Sequence, residues 1–460
     1  MPSVLEQFLP IAILLMVVAF VVGRLPKVQV GHSDAFRRRR VLNWLPLGLT
    51  YAFLYMGRYN INVAKVALNP ATGDPWMTKA QLGVITVFGT TTYALAFLIN
   101  GPLTDRFGGR RMILTAALGA AAANAGMGYV MRERPEDLVS SFKFLYALNM
   151  YFQAFGAVAI VKVNAHWFHV RERGVFGGIF GILISLGLYF AYDWGTPVSQ
   201  HLPHEWVFFL PALILLGFAV LDFLLVFDNP SDVGHQDFDP GDGKLEDEGE
   251  RLSVLTLATR MVRHPVILTI VLIETCSGFV RGSIMKWGFV FANETGQSAL
   301  TGHWGVYLCI AGILGGVFAG TISDRVFQSR RGPSAVILYA LASVAILVTW
   351  GVITAPFAGF ILLFAIMSVI GVHGMLSGTA SMDFAGRKNA GLAVGLIDGM
   401  VYLGFGAQSV LLGYVLPEGE GQSDPANWRI WLLVTLPVAV LGLLLSLRIW
   451  NAKPRPSSGH

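Results

Sequence analysis

Long apolar runs recur along the whole chain and decide what it can fold into. Each run spans about 18 to 25 residues, which lets a helix cross roughly 30 Å of hydrocarbon. Hydrophobic residues make up 54% of the 460 residues and charged residues only 13%, whereas an ordinary soluble domain has about 25% charged residues. A membrane β-barrel would show alternating segments of about ten residues instead. The runs therefore predict an all-α membrane protein.

The apolar runs predict one extra N-terminal helix and a series of further spans. The first helix has no basic residue before it, whereas Arg24 and Lys27 follow it. A cleavable signal peptide carries its positive charge in front, so we predict a retained transmembrane helix with its N-terminus outside. The further spans are predicted at about residues 41–67, 80–102, 112–131, 140–165, 174–197, 205–228, 264–292, 300–321, 334–354, 356–381, 391–416 and 430–450.

Basic residues mark one set of loops as cytoplasmic. The tetrad Arg37–Arg40 directly precedes the second helix, and Arg106, Arg171 and Arg325 lie in loops on the same predicted side. The positive-inside rule makes these loops cytoplasmic and places the C-terminus on that side. We interpret the tetrad as a topogenic anchor; a lipid-headgroup or nucleic-acid patch is the alternative. The predicted location is the plasma membrane, a bacterial inner membrane.

A repeated loop motif indicates a duplicated six-helix unit. Gly101-Pro-Leu-Thr-Asp-Arg106 in the first half returns as Gly320-Thr-Ile-Ser-Asp-Arg325 in the second half. Parallel repeats of this kind are typical of transporters whose substrate site lies between two lobes near the bilayer midplane. The predicted domains are the extra helix at 1–30, the lobes at 41–228 and 263–452, and an acidic cytoplasmic linker at 229–262.

Charged residues in the cytoplasmic loops are predicted to latch helix ends rather than to bind substrate. A loop glycine lets two helices approach closely. An aspartate there can accept backbone N–H bonds at a helix start, and an arginine can pair with carboxylates or with helix C-termini. The predicted gating residues are Asp105, Arg106, Asp324, Arg325, Arg171 and Arg173.

Several segments together resemble one known family. The Gly-x3-Asp-Arg loops in both halves are similar to those of the major facilitator superfamily. The chain also resembles its organophosphate:phosphate antiporters, the group of the bacterial glycerol-phosphate and hexose-phosphate transporters, at Tyr51–Asn60, Leu148–Gln153, Arg171–Gly174, Asp228–Gly234, Arg281 and Trp287. The resemblance covers about residues 41–450 and implies a major facilitator fold with two six-helix lobes.

Two positions depart from the family pattern. Phe97 stands where close relatives place a lysine in the second helix of the repeat. Ile184 stands where the glycerol-phosphate transporter has a fifth-helix histidine. The substrate of those relatives is therefore not carried over to this chain.

Two arginines inside predicted spans are the main candidates for substrate binding. Arg58 and Arg281 occupy equivalent places in the two halves, and a charge at mid-membrane is costly unless it is paired or faces water. Under the pseudo-twofold symmetry of the repeat, both are expected to project into a central cavity and bind one phosphate or carboxylate. The family resemblance implies the same role. The alternative is that each arginine pairs with an intramembrane acid such as Glu274 or Asp398.

Three tyrosines are predicted to assist these arginines. Tyr51, Tyr55 and Arg58 share one helical face because they are spaced four and three residues apart. Tyr93 can approach from the next helix. Their hydroxyl groups can donate hydrogen bonds to the same anion, and packing is the alternative role.

Three further titratable residues lie inside predicted spans. Asp398 can neutralise a site arginine, carry a coupling proton or only join helices. Lys286 is five residues after Arg281 and points to another face of the helix; it either joins the site or snorkels to the membrane interface. His373 is predicted to be a hydrogen-bonded core histidine. The predicted substrate-binding residues are Arg58, Arg281, Tyr51, Tyr55, Tyr93, Asp398 and Lys286.

Enzyme and metal motifs are missing from the sequence. It contains no Walker loop, no nucleotide-binding glycine motif after a strand and no HExxH. His166 and His169 have no paired cysteine or acidic cluster that would complete a metal site. We predict a monomeric, non-enzymatic carrier in contact with membrane lipid, with a small anionic substrate, no cofactor, no metal and no nucleic-acid partner.

The predicted function is secondary transport of a small organic anion, a phosphate ester exchanged for inorganic phosphate by alternating access. A proton-coupled carrier of organic carboxylates is one alternative, because Asp398 is available while Phe97 and Ile184 remove two polar groups of the family. The other alternative is a transporter-like membrane sensor of a phosphorylated metabolite.

Overall fold

Helices make up the regular structure of the computed structural model. The structure describes residues 4–24, 31–67, 77–169, 172–238, 256, 259, 263–328, 330–377 and 390–452, and these residues form no strand. Within this part of the chain, ten helices are long and apolar enough to cross a membrane, judged by length and composition. The chain is therefore an integral, multi-pass membrane protein, as its apolar runs predict.

The first of two compact units contains Met1–Ala67 and Ile99–Glu248. Its helices are α1 (Val4–Arg24), α2 (Asp34–Ala67), the last part of α3 (Lys79–Phe107), α4 (Gly109–Glu133), α5 (Leu138–Trp167), α6 (Arg173–Tyr189), α7 (Gly195–His201) and α8 (Trp206–Leu225). A π-helical turn joins α6 to α7. Helix α4 packs against α5 and α8, and α2 packs against α6 and α8. An apolar core forms where α2, α4, α5 and α8 meet.

The second unit contains Leu68–Leu98 and Gly249–His460. Its helices are the first part of α3, then α9 (Pro265–Gly282), α10 (Gly288–Glu294), α11 (Ser298–Thr301), α12 (Trp304–Thr321), α13 (Arg331–Gly351), α14 (Ala358–Met375), α15 (Ala390–Val415) and α16 (Arg429–Arg448). A π-helical turn at Ser283–Trp287 joins α9 to α10, and another at Ile322–Val326 follows α12. Helix α9 packs against α15 and α16, while α14 packs against α12 and α13.

Two glycines let α9 and α15 pack with their backbones in contact. A Cβ atom on Gly278 would overlap the carbonyl oxygen of Val401, and a Cβ atom on Gly404 would overlap that of Thr275. Small residues at a helix interface permit such close approach. This contact places the turn of α9 just before Arg281 directly against α15, the helix that carries Asp398.

The helices differ from the predicted spans at the start of α2 and at the two spans, 174–197 and 264–292, that a π-helical turn divides. Helix α2 begins at Asp34, so the arginine tetrad is helical and continuous with the apolar run. The predicted span at 264–292 is divided into α9, a π-helical turn and α10. A π-helical turn has more residues per turn than an α-helix, so it shifts the angular position of every residue after it. The unit boundary between Leu98 and Ile99 crosses the predicted first lobe, and the lobe boundaries stay a prediction.

Candidate functional site

Arg58 lies on α2 and is almost fully buried, with 2% of its surface exposed. Its Nε atom donates a hydrogen bond of 2.8 Å to Oε1 of Gln153 on α5. Its guanidinium carbon lies 4.4 Å from the centroid of the Tyr55 ring, which is within the range of a cation–π contact. The amide of Gln153 and the ring of Tyr55 therefore fix the orientation of the guanidinium. A guanidinium held in one orientation is suited to binding an anion through parallel hydrogen bonds.

A chain of buried amides holds Gln153 in place. Its Nε2 atom donates to Oδ1 of Asn149 at 3.0 Å, and Nδ2 of Asn124 donates to the same oxygen at 3.1 Å. Nδ2 of Asn60 donates to Oδ1 of Asn124 at 2.8 Å. The sequence analysis did not assign these residues to the site. Asn149 and Gln153 stand four residues apart in an apolar span. Two amide side chains on one helical face of such a span could have indicated a polar site from the sequence.

The predicted tyrosines of α2 lie beside Arg58. The rings of Tyr51 and Tyr55 are 5.4 Å apart in an edge-to-face arrangement, and Tyr55 carries the cation–π contact. Tyr51, Tyr55 and Arg58 therefore share one helical face, as their spacing of four and three residues predicts. A role of either hydroxyl in anion binding stays a prediction.

Arg281 lies in the last turn of α9, in the second unit. Asp398 on α15 interacts electrostatically with Arg281, Glu274 and His373. The hydroxyl of Ser377 donates a short hydrogen bond to Oδ1 of Asp398. The charge interaction fits both a neutralising role for Asp398 and the alternative in which it joins helices, so its role stays a prediction.

Lys286 is buried, with 1% of its surface exposed. Its Nζ atom donates to the hydroxyl of Thr86 at 2.9 Å and lies 4.6 Å from the centroid of the Trp287 ring. The alternative in which Lys286 snorkels to the interface is therefore wrong. The prediction that Lys286 points to another face than Arg281 assumed an unbroken α-helix, whereas Lys286 lies in the π-helical turn Ser283–Trp287.

Tyr93 packs against aromatic side chains of the second unit. It is 1% exposed, its ring lies 4.1 Å from that of Tyr402 on α15, and Phe97 contacts it edge-to-face at 5.0 Å. Phe97, which stands where the family resemblance implies a lysine, thus contributes an aromatic side chain to this part of α3.

His373 on α14 is hydrogen-bonded, as predicted. Its Nδ1 atom lies 2.9 Å from Oε2 of Glu274 on α9, and the Glu274 side chain is fully buried. The sequence analysis considered Glu274 as a partner of Arg281; the structure pairs it with His373.

The predicted gating residue Asp105 forms an exposed ion pair. Its carboxylate accepts a hydrogen bond of 2.8 Å from Lys162 on α5. Helix α3 continues through the motif to Phe107, so the prediction that Asp105 caps a helix start is wrong. The backbone N–H of Arg110, in the first turn of α4, donates instead to Asp228 at 2.9 Å.

The other gating residues are only partly described. The guanidinium carbon of Arg106 lies 5.3 Å from the centroid of the Phe107 ring, and Arg325 is exposed in a π-helical turn. Arg171 and the side chains of Arg173 and Asp324 lie outside the described part of the chain. The gating role of this set stays a prediction.

Two arginines of the predicted anchor have structural contacts within the first unit. Arg40 donates to both carboxylate oxygens of Glu172, at 2.8 and 3.0 Å, and Arg39 donates to the Leu225 carbonyl at 2.7 Å. Burial acts to raise the pKa of Glu172, but the hydrogen bonds and charge of Arg40 outweigh it and hold that pKa below its ordinary value. Through Arg39 and Arg40 the tetrad ties α2 to α8 and to Glu172; its role as a topogenic anchor stays a prediction.

A buried ion pair lies at the start of α3, in the second unit. Nζ of Lys79 is 2.6 Å from Oε2 of Glu294, and these side chains are 1% and 8% exposed. The backbone N–H of Lys79 donates to Oε1 of Glu418 at 2.6 Å. A lone lysine before an apolar run gives no sequence signal for such partners.

A comparison with protein families assigns the chain. A family model described as the Major Facilitator Superfamily matches residues 47–409. The chain belongs to the Major Facilitator Superfamily. Over 445 residues, this superfamily member is 27% identical to the glycerol-3-phosphate transporter of Bacillus subtilis, with 92% of this chain and 94% of that protein covered. Over 439 residues it is 25% identical to the membrane sensor protein UhpC of Salmonella typhimurium, with 93% and 95% covered.

Solved structures share the fold of this superfamily member. A bacterial homolog of the human lysosomal transporter Spinster, in an inward-facing and occupied conformation, matches with a TM-score of 0.69 at 15% identity, covering 92% of this chain and 98% of that one. A D-xylose–proton symporter matches with a TM-score of 0.62 at 14% identity, covering 92% and 99%. At these identities the likeness establishes the major facilitator fold alone, which confirms the predicted fold class. Family and fold are those of transporters.

Proposed function

We propose that this protein transports a small organic anion, a phosphate ester, by alternating access. The observation that carries the proposal is the buried Arg58, whose guanidinium Gln153 and Tyr55 orient through a hydrogen bond and a cation–π contact. A planar guanidinium can bind one phosphate through two parallel hydrogen bonds. The relatives named glycerol-3-phosphate transporter and probable hexose phosphate transport protein support a phosphate ester as the substrate.

Two cations of the second unit belong to the proposed binding set. Arg281 supplies a second guanidinium, and Lys286 supplies an ammonium whose described contacts are a hydroxyl, a carbonyl and an aromatic ring. A buried charge is costly unless it is paired, so an anion that approaches Lys286 gains a favourable interaction. Tyr51, Tyr55 and Tyr93 are proposed to donate hydroxyl hydrogen bonds.

Exchange for inorganic phosphate is the proposed mode of transport. A ligand promotes the conformational change only if it interacts more favourably with the intermediate than with the resting state. Moving Arg58 and Arg281 through the membrane with a bound anion is electrostatically more favourable than moving them without one, which disfavours return of the empty carrier and favours exchange. The proposed carrier is a monomer in the plasma membrane, with the N-terminus of α1 outside and the C-terminus in the cytoplasm.

Reconstituted transport tests the proposal. Purified full-length protein is placed in liposomes loaded with inorganic phosphate, and uptake of labelled glycerol 3-phosphate is measured. We expect uptake that requires internal phosphate and is lost in Arg58→Ala but kept in Asn164→Ala, a buried residue on α5 whose side chain donates to a backbone carbonyl. Equal uptake with and without internal phosphate would contradict the exchange mode.

A membrane sensor is the second candidate function, because the match to the sensor protein UhpC covers 95% of that protein. A sensor binds the phosphate ester without moving it across the membrane. Calorimetric binding measured on the protein used for the uptake assay separates the two functions: binding without uptake favours the sensor.

A further inference from the structure

Two arginines of the first unit bind the C-terminal end of α8. Nη2 of Arg39 on α2 donates to the Leu225 carbonyl at 2.7 Å, and Nη2 of Arg110 on α4 donates a short hydrogen bond to the Phe223 carbonyl. Their guanidinium carbons lie 5.3 and 4.3 Å from the centroid of the Phe227 ring. Two positive charges therefore share one aromatic ring.

Neither guanidinium has a carboxylate partner among the described residues. Three acids of this region have other donors: Glu172 pairs with Arg40, Asp228 accepts from the backbone N–H of Arg110, and Asp222 accepts from Thr50. Like charges repel each other, and a charge in apolar surroundings is costly unless it is paired. An anion bound between the two guanidiniums would offset both costs.

The chain that carries the shared ring is held in place by hydrogen bonds. The backbone N–H of Phe227 donates to Oδ1 of Asn43 at 2.8 Å, and its carbonyl accepts from Nε1 of Trp167 at 2.9 Å. The Trp167 ring centroid also lies 5.5 Å from the guanidinium carbon of Arg39. Both arginines are thus oriented before an anion arrives, which reduces the conformational entropy lost on binding.

Exposed apolar side chains extend from the arginine pair along three helices. Phe223, at the end of α8, is 59% exposed. On α2, the exposed Leu42 follows Arg39 by three positions and shares its helical face. On α4, the exposed Leu118 follows Arg110 by eight positions, so it lies two turns along the same face. Helices α2 and α4 both pack against α8, so cations lie at one end of a continuous apolar surface.

We propose that Arg39 and Arg110 form a binding site for the headgroup of an anionic phospholipid, whose acyl chains lie along the exposed apolar faces of α2, α4 and α8. The two guanidiniums donate to the phosphate oxygens, and the negative charge of the headgroup offsets their repulsion. Arg39 precedes Arg58 by 19 residues on α2, about 28 Å along the helix axis. Lipid binding at this end of α2 is therefore independent of the proposed transport site.

The surroundings of the pair favour a lipid with a net negative charge. Arg38 and Arg111, the chain neighbours of Arg39 and Arg110, are exposed and add positive charge to the same end of the first unit. Clustered arginines beside a membrane-spanning helix attract anionic headgroups, whereas the choline group of a zwitterionic lipid is repelled. The apolar faces beyond the arginines favour a lipid over a free phosphate, because acyl chains gain contacts there that a soluble anion lacks.

Lipid binding to purified full-length protein tests the proposal. Phosphatidylglycerol, which carries a net negative charge, and phosphatidylcholine with the same acyl chains are each titrated into delipidated protein, and native mass spectrometry counts the bound molecules. We expect wild type to bind its first phosphatidylglycerol about tenfold more tightly than its first phosphatidylcholine. Equal affinity for the two lipids would overturn the proposal, and this comparison stands even if a variant does not fold.

The decisive variant is Arg39→Gln with Arg110→Gln, which removes both charges but keeps an amide donor for each carbonyl of α8. Its affinity for phosphatidylglycerol should fall about tenfold or more, to that for phosphatidylcholine, because charge-assisted hydrogen bonds to the phosphate are lost. Arg132→Gln with Arg134→Gln is the matched control. It removes two exposed arginines at the other end of α4 and should bind both lipids like wild type.

Three results for these proteins would overturn the site. Unchanged phosphatidylglycerol binding in the Arg39 and Arg110 double variant would place the lipid elsewhere. An equal loss in the Arg132 and Arg134 control would reduce the effect to general charge attraction. Inorganic phosphate that raises the unfolding temperature of wild type but not of the Arg39 and Arg110 double variant would assign the pair to a soluble anion.

Discussion

Nε of Arg58 and Oε1 of Gln153 are 2.8 Å apart, and both side chains are buried at 2% exposure or less. The contact joins α2 to α5 and fixes the plane of the guanidinium. The acceptor is an uncharged amide, so this hydrogen bond orients Arg58 without placing a negative charge beside it. Gln153 is thus a positioning residue for the proposed anion site. Substitutions of Gln153 can test the effect of the orientation of Arg58 separately from the effect of its charge.

Gln153→Leu should weaken phosphate binding about tenfold, because a buried hydrogen bond to a charged group contributes about 1.5–3 kcal/mol. Gln153→Glu should weaken it further, because a carboxylate at this position neutralises Arg58. Asn164→Ala, on the same helix, should bind like wild type. Calorimetry of the purified variants measures their phosphate affinities and checks this ranking. Tighter phosphate binding by Gln153→Glu than by Gln153→Leu would argue against an anion at Arg58.

Lys286→Met should lower phosphate affinity about tenfold or more while leaving the unfolding temperature unchanged or raised. The substitution removes a buried ammonium, and an apolar side chain of similar size in place of a buried charge is often neutral or stabilising. Thr86→Ser keeps the hydroxyl that accepts from Lys286 and serves as the control. Wild-type affinity in Lys286→Met would remove this residue from the binding set.

Patterns of single helices could be predicted well from the sequence. Apolar runs gave the helical membrane class, and the spacing of Tyr51, Tyr55 and Arg58 gave their shared face, because both depend on local periodicity. The repeated Gly-x3-Asp-Arg loops and the family motifs indicated the superfamily that residues 47–409 match.

Contacts between distant segments could not be predicted in the same way. The pairs Lys79–Glu294 and His373–Glu274 join residues far apart in the chain, and no local pattern specifies such partners. Lys286 was assigned to a helix face on the assumption of an unbroken α-helix, but the π-helical turn changes the phase. Asp105 resembled a helix cap because the sequence does not show that α3 continues through the loop motif.

Lys79→Met should destabilise the protein by about 3–5 kcal/mol, because it removes the cation that pairs with the buried carboxylate of Glu294. Adding Glu294→Gln should restore much of the lost stability, because it removes the buried negative charge that Lys79 had paired with. Denaturant unfolding of the purified single and double variants measures both effects. If the double variant is no more stable than Lys79→Met, the ion pair is not the cause of the loss.

Acidification should destabilise the first unit through His32 and Glu172. Burial lowers the pKa of His32, as do Arg40 and Arg37, and these effects outweigh the nearby Glu172 carboxylate, 3.7 Å away. The pKa of Glu172 is also below its ordinary value because Arg40 outweighs the effect of burial.

Both shifts have the same sign. A group whose folded-state pKa is lowered stabilises the protein above its unfolded-chain pKa, and that stability is lost as the pH falls. The loss should begin below about 6.5 for His32 and continue below about 4.5 for Glu172. The unfolding temperature measured against pH checks this, and His32→Gln should remove the first part of the decline. An unchanged profile in His32→Gln would exclude His32 as its source.

Binding of inorganic phosphate to purified full-length protein, measured by calorimetry, tests the anion-binding role of the two arginines most directly. Arg58→Lys and Arg281→Lys should each bind about tenfold more weakly or worse, because the planar fork of the guanidinium is lost. Arg58→Ala and Arg281→Ala should show no measurable binding while their unfolding temperatures stay close to that of wild type. Wild-type affinity in both alanine variants would contradict the account.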